Sequence, residues 1–437
     1  MNDLKAVPAM TDGLQRAFQL FGPDHKPHRL RELKAAFCTE TARQCIEQYK
    51  DCLLAIVLTG SLARDEATFI EERERWSLLG DAEFILIFNE HASLPSSADL
   101  DPLCRRIRER LLQHNIQGNI SLGDVCPTYL RKLKPHIFAY ELRVCGQVIW
   151  GEPQILSLIP AFSASDIPLE DAWRLLCNRM IEQLEVVEDL ADYPVILPPR
   201  VHYRTIKLYL DMATSYLLFA GAYAPTYRGR AERLRVLADN AVPDDRVPFP
   251  LQRFAERVTG CTLEKLLRPD QGGLALISRE GEPGVLLWEE AAAYARQLWR
   301  WELVRLTGAR PQLSDLELLK RWMRLQPVSE RLRGWLYVLR KRGWHRSWRH
   351  WTRWGGQAWR ASPRYQVYAA ASEVFFQLPY LVGAADQSPE LDFRWEKLQR
   401  WLPVLQKGKV HDERLVWRQL ASDTVWNYHE FLAETRA

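Results

Sequence analysis

The sequence predicts an α+β fold, in which a small β-sheet near the N-terminus precedes a large, mainly α-helical part. Two apolar runs, AIVLT at 55–59 and LLGDAEFILIF at 78–88, predict neighbouring strands. The second run is apolar on both faces beyond its first residues, as a central strand is. Farther along the chain, for example over 288–306, apolar residues recur with helical spacing. We therefore expect the strands to be confined to the first part of the chain.

At 437 residues the chain is long enough for two or three domains. The prolines and glycines of 1–29 predict a loose N-terminal segment, and the α/β core is expected to span 30–160. A helical domain is expected over 161–242, and a second α-helical domain over 251–437. The second of these contains a Trp/Arg-rich basic segment, residues 320–364.

The composition, 47% hydrophobic and 26% charged residues, is typical of a globular protein. The eight cysteines form no C-x-x-C pair, and Cys38, Cys45 and Cys52 share one stripe of a predicted helix. This favours buried, unpaired thiols over disulfides or a zinc site. The N-terminal residues lack a signal-peptide pattern, and no uncharged run has the length of a membrane span. We expect a cytoplasmic protein without a transmembrane segment.

Asp81 and Glu83 form a carboxylate pair on the second predicted strand. Residues two apart on a strand project from the same face, and two like charges are costly to bury without a cation. Gly60 and Ser61 directly follow the first strand and predict a turn that opens a helix. There the backbone can approach a phosphate closely, and free N–H groups favour an anion. The pattern indicates a site for a divalent cation and a phosphate, to which Arg64 would add a positive charge.

An apolar strand, Gly60-Ser61 and then Asp81-x-Glu83 on the next strand resemble the core of the DNA polymerase β-like nucleotidyltransferase superfamily. In plan, the chain is similar to the aminoglycoside and other minimal nucleotidyltransferases, which implies a small mixed sheet followed by helices. The resemblance implies that Asp81 and Glu83 are catalytic and bind Mg²⁺, with Mn²⁺ as the alternative. It implies that Gly60, Ser61 and Arg64 contact a nucleoside triphosphate, most often ATP. The implied reaction transfers a nucleoside monophosphate to an acceptor hydroxyl and releases pyrophosphate.

Many members of this superfamily use a third carboxylate, from a neighbouring strand, to activate the acceptor hydroxyl. The position expected for it here falls near Ser121, which is not acidic. Two other acids are candidates for this catalytic role: Asp124, which has the opposite strand parity to Ser121, and Glu141 on a further predicted strand, IFAYELR. By the same resemblance, Lys207 on a predicted helix is expected to contact the triphosphate. The alternative for Lys207 is a solvated charged face.

The basic segment 320–364 combines positive charge with tryptophan. It holds 13 Lys or Arg residues, one acid and seven of the 17 tryptophans, so its net charge is +12 and the remainder of the chain carries −8. A helix here would have an aromatic face, Trp344, Trp348 and Trp351, and a cationic face, Arg342, Arg346, Arg349 and Arg353. Three interpretations remain open. The helix lies on an anionic membrane, binds RNA or single-stranded DNA, or buries its tryptophans under solvated arginines.

The leading functional hypothesis is a metal-dependent nucleotidyltransferase whose acceptor is a small molecule, a protein or an RNA end. The alternative is a nucleotide- or nucleic-acid-binding module without catalysis, built on a degenerate core. A third hypothesis is a membrane-surface accessory protein that acts through the basic segment. A third carboxylate near Asp81 and Glu83 would separate the first hypothesis from the second.

Overall fold

A computed structural model describes the greater part of the chain, in seven ranges: 28–190, 197–240, 247–266, 284–343, 351–383, 401–404 and 413–431. These residues fall into two compact units. The first unit comprises 28–167, 224–232 and 259–266, and the other described residues form the second. The predicted α+β class is confirmed, because the sheet lies in the first unit and the C-terminal part of the chain is mainly helical.

The first unit contains five strands and the short helices between them. Its elements are α1 His28–Tyr49, β1 Leu53–Thr59, α2 Gly60–Ala63, β2 Thr68–Glu72, β3 Arg75–Phe88, α3 Ser97–Leu112, β4 Ile116–Val125, α4 Pro127–Arg131, α5 Ile137–Cys145 and β5 Gln147–Gly151.

The 14-residue strand β3 is the centre of a mixed sheet. Its first half pairs with β2 and its second half pairs with β1, both antiparallel. Strand β4 runs parallel to β3 along the opposite edge, and β5 pairs with β1. Because β1 and β2 share one edge of β3, the strand changes partner near its middle. This change occurs at Gly80–Ala82, between the pairs Thr68–Leu79 and Thr59–Glu83.

Each face of the sheet carries its own core. On one face, Phe84 and Leu86 of β3 pack in a cluster with Phe37 of α1 and Leu103 of α3. On the other face, Ile85 and Ile87 pack in a cluster that includes Ala139 and Leu142 of α5. This second cluster covers only the C-terminal end of β3. The stretch of the same face around Asp81 remains exposed.

The segment IFAYELR forms helix α5, so the prediction of a strand there is wrong. Its buried residues, Ala139 and Leu142, are three apart, which is the spacing of one helix face. His136 caps the helix through Nδ1, which accepts the N–H of Ala139 at 3.0 Å. The apolar, strand-favouring residues of this run gave no local signal against a strand. The neighbour of β1 is instead β5.

The second unit consists of helices. Their bounds are α6 Leu169–Leu184, α7 Pro199–Phe219, α8 Tyr227–Asp239, α9 Leu251–Leu266, α10 Gly284–Thr307, α11 Asp315–Leu325, α12 Val328–Arg342, α13 Trp351–Ala358, α14 Pro363–Gly383 and α15 Glu413–Phe431, with parts of α8 and α9 assigned to the first unit.

The boundary between the two predicted helical domains, 161–242 and 251–437, does not correspond to the division between the units. Trp173 of α6 is fully buried and stacks on Tyr365 of α14 with ring centroids 5.8 Å apart. Its ring also meets Trp322 of α11 edge-on at 6.1 Å. Helices from both predicted domains therefore share one aromatic core.

All eight cysteines are free thiols. Within the described ranges, no helix has both the length and the apolar character needed to cross a membrane.

Glu302 of α10 is a fully buried carboxyl in the second unit. Ser215 Oγ donates to its Oε1 at 2.5 Å. Burial raises the pKa of Glu302 from 4.5 to about 8, against the opposing effect of this hydrogen bond. Between these two pKa values the folded protein holds a proton that the unfolded chain has lost. The free energy of unfolding should therefore fall as the pH rises through this window.

Glu302→Gln should remove this pH dependence, because the amide stays neutral. At about pH 8 the variant should be more stable than the parent protein by about 3 kcal/mol, and near pH 5 the two should be similar. Denaturant unfolding at both pH values measures the difference. Burial also raises the pKa of Glu373, to about 7. Because Glu373 is present in both proteins, its contribution cancels in the difference between their free energies of unfolding. Parallel pH profiles would show that Glu302 is not the titrating group.

Candidate functional site

Glu83 lies directly against the turn that follows β1. The antiparallel register pairs Thr59, the last residue of β1, with Glu83 of β3. Gly60 comes next and has φ +70°, in the left-handed region. A Cβ atom on Gly60 would lie only 2.5 Å from Oε2 of Glu83. The Gly60 backbone therefore lies directly against one carboxylate of the pair, and only glycine fits here without displacing that carboxylate.

Asp81 shares the exposed sheet face of Glu83 and lies just after an irregularity in β3. Four residues of β3, from Ser77 to Asp81, span only two residues of β4, from Gln117 to Asn119. Gly80, with φ +111°, lies within this bulge. The bulge coincides with the point where β3 exchanges β2 for β1, so it positions Asp81 beside the end of β1. The two carboxylates thus face the same side, as their spacing predicts.

Ser61 lies in α2, which has only four residues. A helix opens at Gly60-Ser61, as predicted, and it ends at Ala63. The Ser61 carbonyl accepts the N–H of Glu66 at 2.8 Å, which closes the chain into a tight turn. A macrodipole needs several aligned turns, so any anion here would be held by individual N–H groups and the Ser61 hydroxyl.

Arg64 does not face the carboxylate pair as a free cation. Its Nη1 donates to Glu141 Oε2 at 2.6 Å and its Nε donates to Glu66 Oε2 at 3.2 Å, with only 7% of the side chain exposed. Its guanidinium also lies 5.4 Å from the Tyr227 ring centroid. Burial alone would lower the pKa of Arg64, but the Glu141 carboxylate, Tyr227 and Glu66 raise it above its ordinary value. The predicted role of Arg64 in phosphate binding is therefore replaced by a structural one.

Glu141 belongs to the same buried ion cluster and is not placed as an acceptor-activating base. It sits on α5, where Oε1 accepts from Arg230 and Oε2 accepts from Arg64. The Arg230 guanidinium lies 5.2 Å from the Tyr227 ring, and Arg228 N donates to Glu66 Oε1 at 3.2 Å. Two carboxylates and two guanidiniums neutralise each other in this cluster. It holds residues 224–232 against the sheet-bearing part of the first unit.

Asp124 lies on the other face of the sheet from Asp81 and Glu83. The parallel register pairs Asp124 with Leu86, which belongs to the cluster under α1 and α3. The strand partner of Glu83 on β4 is Ser121. Prediction of Asp124 as a third catalytic acid is therefore wrong, because alternation along β4 turns it away from the site. The exposed Ser121 occupies the position at which the resemblance to nucleotidyltransferases implies a third carboxylate.

Lys207 belongs to the second unit, on α7. Its Nζ lies 3.8 Å from Glu182 Oε2, and Glu182 also accepts from Arg179 and Arg204. The neighbouring Arg179 cation, followed by burial, lowers the pKa of Lys207. A contact between Lys207 and a triphosphate remains a prediction.

A cavity of about 620 Å³ opens on the same sheet face as the carboxylate pair and was not predicted from the sequence. It is lined by Arg73, Arg75, Ser77 and Gln117. Gln117 precedes Ser121 by four residues on β4, a distance of about 13 Å along the strand. Arg73 and Glu74 both have positive φ and form the turn between β2 and β3. The charged run 71–75 was the available signal, but only the hairpin shows which of its side chains point to this face.

The donor set fits a hard divalent cation. Asp81 and Glu83 supply two carboxylates, and Ser121 and Asn119 are their direct neighbours on β4. Mg²⁺ prefers oxygen ligands and usually takes one or two carboxylates, with phosphate oxygens and water for the rest. The described residues contain no group of three or more His, Cys, Asp or Glu side chains able to hold a metal ion. A metal here would therefore depend on oxygens from its substrate.

Only part of the predicted tryptophan and arginine faces lies within the described residues. Residues 344–350 and the side chain of Arg342 fall outside them. Helix α12 ends at Arg342, and Gly343 follows with φ +79°, so no single helix runs from Arg342 to Arg353. Arg353 Nη2 donates to the Leu402 carbonyl at 2.7 Å, whereas Trp351 is exposed. Among the other described tryptophans of the basic segment, Trp359 is exposed, whereas Trp322, Trp335 and Trp354 are buried.

Comparisons of the chain with protein-family models, curated proteins and solved structures find no match. The resemblance to the nucleotidyltransferase superfamily therefore depends on the local pattern of Gly60, Ser61, Asp81 and Glu83.

The contact between Gly60 and Glu83 can be tested without any ligand. Gly60→Ala should cost about 1 kcal/mol for its positive φ and a further ~1 kcal/mol for displacing the Glu83 carboxylate. In a Glu83→Ala background the second cost should disappear. Gly221 is the matched control, because it has φ +68° but nothing within 4 Å of an added Cβ. Denaturant unfolding of both double-mutant cycles gives the coupling energies. Equal coupling for Gly60 and Gly221 would contradict the geometry.

Glu141→Gln should destabilise the fold rather than affect chemistry selectively. It leaves Arg64 and Arg230, with 7% and 4% of their side chains exposed, without their shared charge partner. We expect a loss of about 3 kcal/mol in the free energy of unfolding. The control is Glu90→Gln, which breaks a solvent-exposed pair with Arg131 and should change stability far less. A stable Glu141→Gln protein that had lost only catalytic activity would instead identify Glu141 as a catalytic base.

Proposed function

We propose that the first unit is a metal-dependent nucleotidyltransferase. It would bind a nucleoside triphosphate, most often ATP, with Mg²⁺ or Mn²⁺ at Gly60, Ser61, Asp81 and Glu83. The observation that supports this best is the Glu83 carboxylate held against the glycine turn after β1, with Asp81 on the same exposed face. The pair lies where an incoming phosphate could reach both the turn and the carboxylates.

The chain's own residues would position the reacting groups. Glu83 and Asp81 would fix one end of the triphosphate through the shared cation, and Gly60 would allow the backbone to approach its oxygens. Bound magnesium would neutralise the charge that develops on the phosphate oxygens. The acceptor hydroxyl would lose its proton to water as its oxygen forms a bond to the α-phosphorus. The bond from the α-phosphorus to the bridging oxygen would break, and pyrophosphate would leave.

The cavity lined by Arg73 and Arg75 supports a small, anionic acceptor. Its volume of about 620 Å³ lies within the range of small-molecule sites. Arginine forks suit carboxylate and phosphate groups, and both arginines are exposed. The acceptor hydroxyl would then lie about 13 Å along the sheet face from the anionic group.

Transfer can be measured with labelled nucleoside triphosphates, Mg²⁺ or Mn²⁺, and whole-cell extract as the source of acceptors. Asp81→Asn and Glu83→Gln should each lower metal-dependent transfer at least a hundredfold, because each removes a charged ligand that matters most in the transition state. Asp101→Asn, an exposed acid on α3, is the control and should leave transfer unchanged. Equal transfer by all three variants would place the reaction elsewhere in the chain.

The alternative function, a nucleotide-binding module without catalysis, is supported by one observation. Ser121 stands beside Glu83 where a third carboxylate would activate the acceptor. The Ser121→Asp variant separates the two functions. If the site is catalytic, added charge next to Glu83 should raise transfer, while nucleotide affinity changes little. If wild type and Ser121→Asp both bind the metal–nucleotide complex without transfer, the chain is a binding module.

A further inference from the structure

Exposed apolar side chains are concentrated in the basic segment, 320–364. Of the fourteen large hydrophobic residues that are exposed within the described ranges, seven lie between 325 and 359. They are Leu325, Val328, Leu332, Leu336, Tyr337, Trp351 and Trp359. Exposed apolar residues scattered singly need no explanation, but such a concentration marks an interaction surface.

Helix α12 arranges part of this set as one stripe. Val328, Leu332 and Leu336 follow one another at four-residue spacing and therefore lie on one side of the helix. The adjacent side of α12 is buried, where Trp335 packs against Trp354 and donates from Nε1 to the Ala361 carbonyl at 2.9 Å. The stripe thus stays exposed beside a packed side of the same helix.

Arginines border the stripe. Arg333 and Arg340 are exposed and fall within roughly 60° of Leu336 around the helix axis. Arg331 donates to the carbonyls of Arg324 and Trp359, at 3.3 and 2.8 Å. These bonds bring the exposed Trp359 and the end of α11 beside the first turn of α12. We call the exposed side of α12 the apolar–arginine face: Val328, Leu332 and Leu336 with Arg333 and Arg340. Arg324 and Trp359 border it at the first turn of the helix.

We propose that the apolar–arginine face docks on an anionic lipid surface. Aliphatic stripes insert between acyl chains, tryptophan suits the interface, and arginine attracts acidic headgroups. The surrounding segment 320–364 carries a net charge of +12, which matches an anionic surface and opposes pairing with a second copy of the same face. Nucleic acid fits less well, because bases stack on rings such as those of Trp359 and Tyr337 and would leave the aliphatic stripe of α12 without contacts.

The test is co-sedimentation of the full chain with vesicles, without nucleotide, so that it is independent of the proposed enzymatic function. Vesicles of phosphatidylcholine alone should bind weakly. Vesicles that also contain phosphatidylserine should bind the protein, and added salt should weaken this binding. Leu332→Gln/Leu336→Gln should lower the affinity at least tenfold through lost insertion. Arg333→Gln/Arg340→Gln should lower it about thirtyfold, because each arginine near the surface contributes about a factor of five.

Matched variants separate this face from general apolar and basic character. Val236 has the same exposed fraction as Leu336, 57%, and lies on helix α8. Val236→Gln should leave vesicle binding unchanged, as should Arg105→Gln/Arg108→Gln on α3. Because every altered residue is exposed, circular dichroism and thermal unfolding should match those of the parent protein. Failure to bind anionic vesicles, or binding that the face variants do not reduce, overturns the proposal. Salt-sensitive binding to single-stranded RNA without vesicle binding overturns it in favour of a nucleic-acid partner.

Discussion

The antiparallel register between β1 and β3 is the constraint on which the candidate site depends. Pairing of Thr59 with Glu83 places the turn at Gly60 against the Glu83 carboxylate. The bulge before Asp81 lets β3 exchange its partner strand β2 for β1. A shift of one residue would send both carboxylates into the apolar cluster on the other face. The buried alternation of Phe84, Ile85 and Leu86 prevents such a shift, because each face of β3 already has its own core.

The cations near this site have a different role from the phosphate binding that the resemblance to nucleotidyltransferases implies. Arg64 and Arg230 neutralise Glu66 and Glu141 in a buried cluster around Tyr227, so their charges hold together segments that are far apart in sequence. Ion pairs so well buried contribute little net stability, but removing one partner is costly. The exposed arginines of the β2–β3 hairpin, in contrast, are accessible and line the cavity on the carboxylate face.

In the second unit, tryptophan serves two physical roles. Trp173, Trp288 and Trp299 are fully buried and form the aromatic interior, whereas Trp351 and Trp359 are exposed. The difference is set by helix packing rather than by residue type. On α12, Trp335 faces inward while Leu332 and Leu336, which a core would normally take, face outward. Burial alone would favour taking these leucines inside along with the tryptophan, and their exposure is what points to a partner for the outer face.

The sequence by itself determined the α+β class, the strands around Gly60 and Asp81, and the common face of Asp81 and Glu83, because strand alternation and apolar runs are local properties. Parity also indicated that Asp124 would point away from Ser121. Only the tertiary structure decided that IFAYELR is a helix, since a short apolar run fits either element until its neighbours are known. It alone paired Arg64 with Glu141, 77 residues along the chain, and joined helices of two predicted domains around Trp173. Such contacts depend on which elements meet in space, and no local pattern carries that information.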